Sequence, residues 1–454
     1  MHNTDYDLTI IGGGLSGCEA ALQAAKVGIN VKLVEMRPFV STGAHTTGKL
    51  GELVCSNSLG SNLPDRASGL LKMELRKLGS FLIKIADECS VPAGRALAVD
   101  RNLFASKVTD LIESNKNIDL VRTENISFPE GISIIATGPL TSKRFAKSIS
   151  KKLGQKNLFF FDAISPILDK ETIDFNVAFM GSRYEACDQN QGDYINLPFS
   201  EQQYHDFIEL LKSGKQHPKK AFELDIVYGI ESSSPLFFEG CLPVEVLAHR
   251  GIDAMAFGPM RPVGLNDPHS NKRPYAVIQL RREDLAGDLY NMVGFQTNLT
   301  YGEQLRIFRS IPGLNRVEFI RFGSMHRNSY VNSPLCLYAT LELRNSPGIF
   351  VAGQLTGIEG YAGNIGSGLL AGLNAPRLIQ GKGLIELPCT TILGSLCKYI
   401  SSTKSDSFQP MKANFGLLPP IPGKRKISKR ERNKKIADRS NIDLGDYLDQ
   451  VNHL

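Results

Sequence analysis

An apolar strand, LTII at residues 8–11, runs directly into Gly12-x-Gly14-x-x-Gly17, and a second apolar run, VKLV, ends on Glu35 twenty-one residues after Gly14. No other feature of the chain constrains its fold as tightly. Gly12 permits a tight turn, Gly14 lets the backbone approach a pyrophosphate, and Gly17 lets the helix CEAALQAAKVG lie close to the strand. Gly12, Gly13, Gly14, Leu15, Ser16 and Gly17 are therefore expected to cradle phosphate at a helix N-terminus, where the dipole favours an anion. Glu35 is placed to accept a ribose hydroxyl, and an acid there favours FAD or NAD over a 2′-phosphorylated nucleotide. In a chain with 42 glycines the spacing alone would be a weak signal. The strand before it, the helix after it and the acid closing the second strand give it weight.

A length of 454 residues exceeds one ordinary core, so two domains are expected. The N-terminus MHNTDYD is polar, and no apolar stretch approaches the length that spans a bilayer, which points to a cytoplasmic protein with no membrane partner. The eight cysteines contain no C-x-x-C pair, their closest spacing being eight residues. That spacing excludes zinc ribbons and the dithiol of disulfide reductases, and no metal site is expected.

The expected fold class is α/β: a Rossmann-like FAD-binding domain interrupted by an α+β insertion. Residues 1–185 form its first part, 186–336 the insertion, and 337–454 the second part. The run GLLKMELRKLGSFLIKIADEC carries apolar residues at helical spacing and reads as one core-facing helix. GISIIATGP, residues 131–139, reads as a buried strand ending in small residues beside the cofactor. Residues 349–372 repeat the opening logic: an apolar strand, a glycine-dense loop, then the helix SGLLAGLNAPRLI. The resumption of nucleotide-fold patterning near the C-terminus is the arrangement of two-domain FAD enzymes.

Two cysteines stand apart from apolar surroundings. Cys55, in GELVCSNSLGS, precedes turn-forming Ser56, Asn57 and Ser58; Cys241, in FFEGCLPVEV, is bracketed by Gly240 and Pro243. Both are nucleophile candidates, with a structural role the alternative for each. Residues 423–435 hold eight Lys or Arg against one Glu, a local +7 in a chain of net +6, so the rest carries about −1. Such a segment suits a polyanion such as RNA or serves as a solvated tail.

The segments IIGGGLSGCEAA, VEMRP, ELVCSNSL, VPAGRALAVDR, FFEGCLPVEVLA, LYNMVGFQTNLTYGEQ and GQLTGIEGY together resemble the TrmFO family of folate- and FAD-dependent tRNA (uracil-5-)-methyltransferases, related to GidA-type flavoproteins. The resemblance covers nearly the whole chain. It implies transfer of a one-carbon unit from 5,10-methylenetetrahydrofolate to C5 of the T-loop uridine of tRNA, with FAD as cofactor and NAD(P)H as reductant. It implies that Cys241 adds to uracil C6 and that Cys55 removes the C5 proton, with an adduct to the flavin-borne methylene the alternative for either. Rival acceptors are 23S rRNA on the same scaffold or, for a flavoprotein oxidoreductase, a small metabolite. Lys219, Lys220, Arg281, Arg282, Arg327 and the segment 423–435 are candidate phosphate contacts.

Overall fold

The computed structural model of the chain describes residues 6–154, 158–183, 192–217, 242–421 and 427–452. The opening motif folds as β1 (Leu8–Ile11), α1 (Leu15–Lys26) and β2 (Val31–Glu35). β1 lies between β2 and the strand Ser133–Ile135, parallel to both, with Ile10 opposite Leu33 and Ile134. Ser346–Val351 and Ile118–Arg122 extend the parallel array, and Glu342–Leu343 adds an antiparallel edge. Its inner strands are buried on both faces, as the uninterrupted apolar runs require of a parallel sheet covered by helices. This is an α/β fold with a parallel Rossmann-like sheet.

The single helix expected from GLLKMELRKLGSFLIKIADEC is instead two, Ala67–Lys77 and Phe81–Glu88. Gly79, at φ 76°, turns the chain in the left-handed region, and Ser80 caps the second helix by accepting from Ile83 N at 3.3 Å. Glu19 of α1 accepts from the N–H groups of Phe81 and Leu82, at 3.1 and 2.8 Å, and so holds the new N-terminus against the first domain. Apolar periodicity runs through the break because both helices bury the same side.

A second difference concerns the later glycine loop. Its helix is Tyr361–Ile379, beginning six residues before the expected Ser367 and absorbing Gly363 and Gly366. Glycine disfavours helix by about 1 kcal/mol relative to alanine, which is why the segment reads as loop. Packing overrides the propensity. A Cβ at Gly366 would meet Leu393 at 2.9 Å, one at Gly368 would meet Ser16 backbone at 2.2 Å, and one at Gly372 would meet Ala20 backbone at 2.7 Å. Only glycine lets this helix lie directly on α1.

A separate antiparallel sheet orders its strands Phe179–Gly181, Tyr194–Phe199, Ala276–Arg282, Leu289–Met292, Ile167–Asp169 and Phe319–Arg321. Its two earliest strands precede residue 186, where the insertion was expected to start, yet they hydrogen-bond into this sheet. It has its own apolar core, built around Tyr204, Phe207, Ile278, Phe295 and Phe308. A two-stranded ribbon, Leu158–Ile164 paired with Ser324–Tyr330, connects it to the parallel sheet.

The described part of the basic segment is no loose tail. Lys429–Asn452 is a helix docked on the first domain through buried Ile436, Ala437 and Leu444. Asn433 Nδ2 donates to Asp65 O at 3.1 Å, and Ser440 Oγ donates to the buried Glu74 carboxylate at 2.7 Å.

Candidate active site

Gly12, at φ 110°, leaves β1 against the Ala136–Thr137 backbone, where a Cβ would sit 2.5 Å from Ala136 O. Gly17 packs so close to Gly12 that its Cβ would lie 1.8 Å from Gly12 O. Gly14 differs: its Cβ position faces open space. It caps α1 without a side-chain acceptor, and the first turn of α1 contains no acid. The first turn of α1 thus opens beside a Gly14 position that no described atom approaches within 4 Å, an arrangement suited to an anion.

Glu35 ends β2 almost fully buried. Its Oε2 accepts from Gly13 N at 2.7 Å, and its Oε1 accepts from Arg37 N at 3.0 Å and Arg37 Nε at 2.8 Å. Burial alone would raise this carboxyl, but the Arg37 guanidinium and these hydrogen bonds outweigh it and hold Glu35 below the usual carboxylate value. Oε1 has both lone pairs engaged, whereas Oε2 keeps one for a further donor. Glu35 lines a cleft together with Gly12, Gly14, Asn125, Thr137 and Thr141. Arg37 also reaches Glu52 at 3.2 Å, and Glu52 accepts from the Thr46 N–H and both threonine hydroxyls of Thr46 and Thr47. Arg37, in the VEMRP segment, was not singled out from the sequence. Its position two residues after the acid was the available signal.

Above α1, the helix Tyr361–Ile379 brings a second N-terminus to the same end of the sheet. Ser16 Oγ donates to Asn364 O at 2.8 Å, and Gly353 N donates to Ser367 Oγ at 2.7 Å, so the first and second glycine segments are joined. Gly360, at φ 88°, precedes this helix, whose first turn also carries no acid. Gln354 is held by its Nε2 donating to Glu359 Oε1 at 2.7 Å.

Cys55 lies half-buried on a turn fixed from three directions. The Tyr361 hydroxyl oxygen accepts from Cys55 N at 2.8 Å and from Ser56 N at 3.1 Å. Burial, then the adjacent Cys55, push the Tyr361 phenol well above its ordinary value, so it stays neutral and can still donate its own proton. Arg101 Nη1 donates to Leu53 O at 2.8 Å and pairs with Glu283 of the antiparallel sheet domain. Arg321 stands within electrostatic reach of Cys55, Tyr361 and Arg101. Of the five other described cysteines Cys389 is exposed, while Cys18, Cys89, Cys336 and Cys397 are buried; burial pushes the thiols of Cys336 and Cys397 up to about 12. The buried four are poor thiolate sources, whereas Cys55 keeps access.

Cys241 lies outside the described residues, as do Lys219 and Lys220. The chain that follows it is firmly set: Val244 N donates to Gln296 O at 2.7 Å, and buried Glu245 accepts from Thr297 Oγ1 at 2.9 Å and Asn298 N at 2.7 Å. Arg281 is not the surface phosphate contact expected of it. It is 8% exposed, with its guanidinium bonded to Asn57 and Ser56. Arg282 folds back over its own hairpin toward Ala286 O. Arg327 belongs to the ribbon strand Ser324–Tyr330, its side chain outside the described set. Among the described residues, no group of three or more His, Cys, Asp or Glu could hold a metal ion, and no helix is long and apolar enough to cross a membrane.

Fold and site together define an α/β protein with a parallel Rossmann-like sheet, in which a cysteine turn is gripped between that sheet's domain and a second, antiparallel one. The family model "Glucose inhibited division protein A" matches residues 7–383. Two crystal forms of Aquifex aeolicus GidA superpose with TM-scores of 0.66 and 0.64, at 17% and 19% identity, covering 98% and 97% of this chain and 74% and 76% of theirs. Proteins called methylenetetrahydrofolate–tRNA-(uracil-5-)-methyltransferase TrmFO from Bacillus pumilus and Bacillus velezensis are 50% and 48% identical over 433 residues, 95% of this chain and 96% of theirs. That of Natranaerobius thermophilus is 48% identical over 444 residues, 98% of this chain and 99% of its own. The chain belongs to the TrmFO family of folate-dependent tRNA methyltransferases, within the GidA group.

Proposed function

We propose that this protein forms 5-methyluridine in the T-loop of tRNA, taking the carbon from 5,10-methylenetetrahydrofolate, with FAD in the Gly12–Gly17 cleft and NAD(P)H as the electron source. The parallel-sheet domain is then an FAD domain of the glutathione-reductase type with the antiparallel domain inserted. The observation that carries the reading is the bond from the Cys55 and Ser56 amides to Tyr361, the first residue of the helix that shares the dinucleotide end of the sheet with α1. The backbone at Cys55 is thereby tied to that helix, and the family relationship supplies the reaction.

The residues fit FAD. Gly14 leaves the space a pyrophosphate needs, the first turn of α1 offers N–H donors, and Glu35 Oε2 retains an acceptor site for a ribose hydroxyl. When bound, FAD supplies the two-electron chemistry that takes a methylene carbon to the methyl level. The chain's own groups handle the uracil. Addition of the Cys241 thiolate at C6 makes C5 nucleophilic, and the C5 proton must then leave to a base before the sulfur is expelled. Cys55 takes that proton, with Tyr361 holding its amide. The exposed Lys429, Arg430, Arg432, Lys434 and Lys435 on the docked C-terminal helix supply phosphate contacts for the RNA.

The test is purified protein with methylenetetrahydrofolate, NADPH or NADH, and unmodified tRNA or 23S rRNA, scored for 5-methyluridine by nucleoside analysis. Product in tRNA, abolished in Cys55→Ala and Cys241→Ala, is expected. Product in rRNA alone would reassign the acceptor, and product in neither would refute the reaction.

A further inference from the structure

The least expected feature of the site is a cation that is almost wholly buried and, among the described residues, hydrogen-bonds to no carboxylate. Arg281 extends from the antiparallel strand Ala276–Arg282 into the neighbouring domain. Its Nε donates to Asn57 Oδ1 at 2.8 Å and its Nη2 donates to Ser56 Oγ at 2.8 Å, with a longer contact to Asn291 Oδ1 at 3.4 Å. Asn57 is fully buried, and its Nδ2 donates both to Val99 O of its own domain and to Arg282 O across the boundary, each at 2.9 Å. Ser56 and Asn57 are the two residues immediately after Cys55.

Removing a guanidinium from water is costly, and an apolar side chain of similar length would fill this space at lower cost. What an apolar chain cannot supply is the planar fork, which binds two acceptors in one fixed geometry. Here those acceptors are the two side chains that set the exit direction of the Cys55 turn. On the entry side, Arg101 holds Leu53 O and is itself held by Glu283, two residues along from Arg281. The second domain therefore grips the turn on both sides of the thiol. Further contacts bind the same boundary: Tyr194 Oη donates to Ala93 O at 2.8 Å, and Leu285 N donates to Asp100 Oδ2 at 3.0 Å.

We propose that Arg281 is a positioning residue for Cys55, transmitting the placement of the antiparallel domain to the thiol through Ser56 and Asn57. The inference rests on the reading that Cys55 acts in the reaction. It assigns Arg281 no contact with RNA.

The test compares the flavin-loaded parent with Arg281→Met, Arg281→Lys and Ser56→Ala. Three quantities are measured: kcat and KM for tRNA, the iodoacetamide alkylation rate of Cys55 by peptide mass spectrometry, and that of Cys241 in the same digests. Arg281→Met should lower kcat by about tenfold or more with KM for tRNA within about twofold, since a small misplacement of a reacting group is felt in the chemical step. Cys55 alkylation should rise by about threefold or more as the turn loosens, with Cys241 unchanged. Arg281→Lys should restore part of both, and Ser56→Ala, which removes one acceptor and leaves the core intact, should move both in the Met direction by less. A raised KM with unchanged kcat would make Arg281 an RNA contact and overturn the proposal. Cys55 alkylation unchanged in flavin-loaded Arg281→Met, or in Ser56→Ala if the former does not fold, would also overturn it. Full turnover in Cys55→Ala would refute the role of Cys55 instead, and the alkylation comparison would still report on the turn.

Discussion

Gly368 lies against Ser16 so closely that a Cβ on the glycine would stand 2.2 Å from the Ser16 carbonyl oxygen. One residue belongs to the Gly12–Gly17 segment and the other to a helix more than 340 positions later, so the two glycine-rich segments form a single structural unit. The Ser16 Oγ bond to Asn364 O reinforces it.

Gly368→Ala should therefore damage cofactor retention before it damages the rest of the fold. The added methyl forces α1 and the later helix apart, at a cost of about 1–3 kcal/mol for an overpacked contact. Flavin absorbance per protein should fall at least severalfold, and thermal unfolding should show a lowered midpoint. Full flavin content in the variant would contradict the close packing.

Arg37→Met should be one of the most damaging single changes near the cleft. It leaves the buried Glu35 carboxylate without its cation and releases Glu52, and breaking a buried pair from one side costs about 3–5 kcal/mol. Because Arg37 helps hold the Glu35 value below normal, its contribution is present above the ordinary carboxylate range and is lost as pH falls through the depressed value. Melting curves between pH 3 and pH 7 should show the deficit of the variant at neutral pH and its shrinkage in acid.

Glu74 gives the opposite pH dependence. Burial pushes its carboxyl up to about 7, although Ile392 N, Leu393 N and Ser440 Oγ donate to it. A raised folded value means the native state holds the proton more tightly. The contribution is complete below the ordinary value near 4.5 and is lost as pH rises to 7, a span of up to about 3 kcal/mol. Glu74→Gln should flatten the decline of the melting midpoint between pH 4.5 and 7. An unchanged slope would show that Glu74 does not titrate in that window.

Replacing Lys429, Arg430, Arg432, Lys434 and Lys435 by glutamine should weaken tRNA binding and reduce its dependence on salt. Each lost phosphate contact lowers the slope of log affinity against log salt by roughly 0.7–0.9. Five cations at a helix N-terminus oppose the helix dipole, so the variant should melt no lower than the parent. An unaltered slope, measured by filter binding at several salt concentrations, would remove this helix from the RNA interface.

The local physics of the first 35 residues was enough to give β1, the glycine turn, α1 and the acid at the end of β2, because each depends on neighbours within one supersecondary unit. Cys55 could be singled out by its turn-forming neighbours, although its role came through family resemblance. Arg281 shows why the rest was hidden: from sequence an arginine reads as solvent-facing and available to phosphate. Its acceptors, Ser56 and Asn57, lie more than 220 positions earlier in the chain. Gly363, Gly366, Gly368 and Gly372 similarly read as loop or indifferent helix until α1, Ile358 and Leu393 are packed against them. Sequence by itself determined the parallel Rossmann-like sheet, through periodicity and turn chemistry that act over a few residues. Only the tertiary structure decided which domain grips the Cys55 turn, since a buried charge is recognisable only when the distant partners that desolvate and satisfy it are in place.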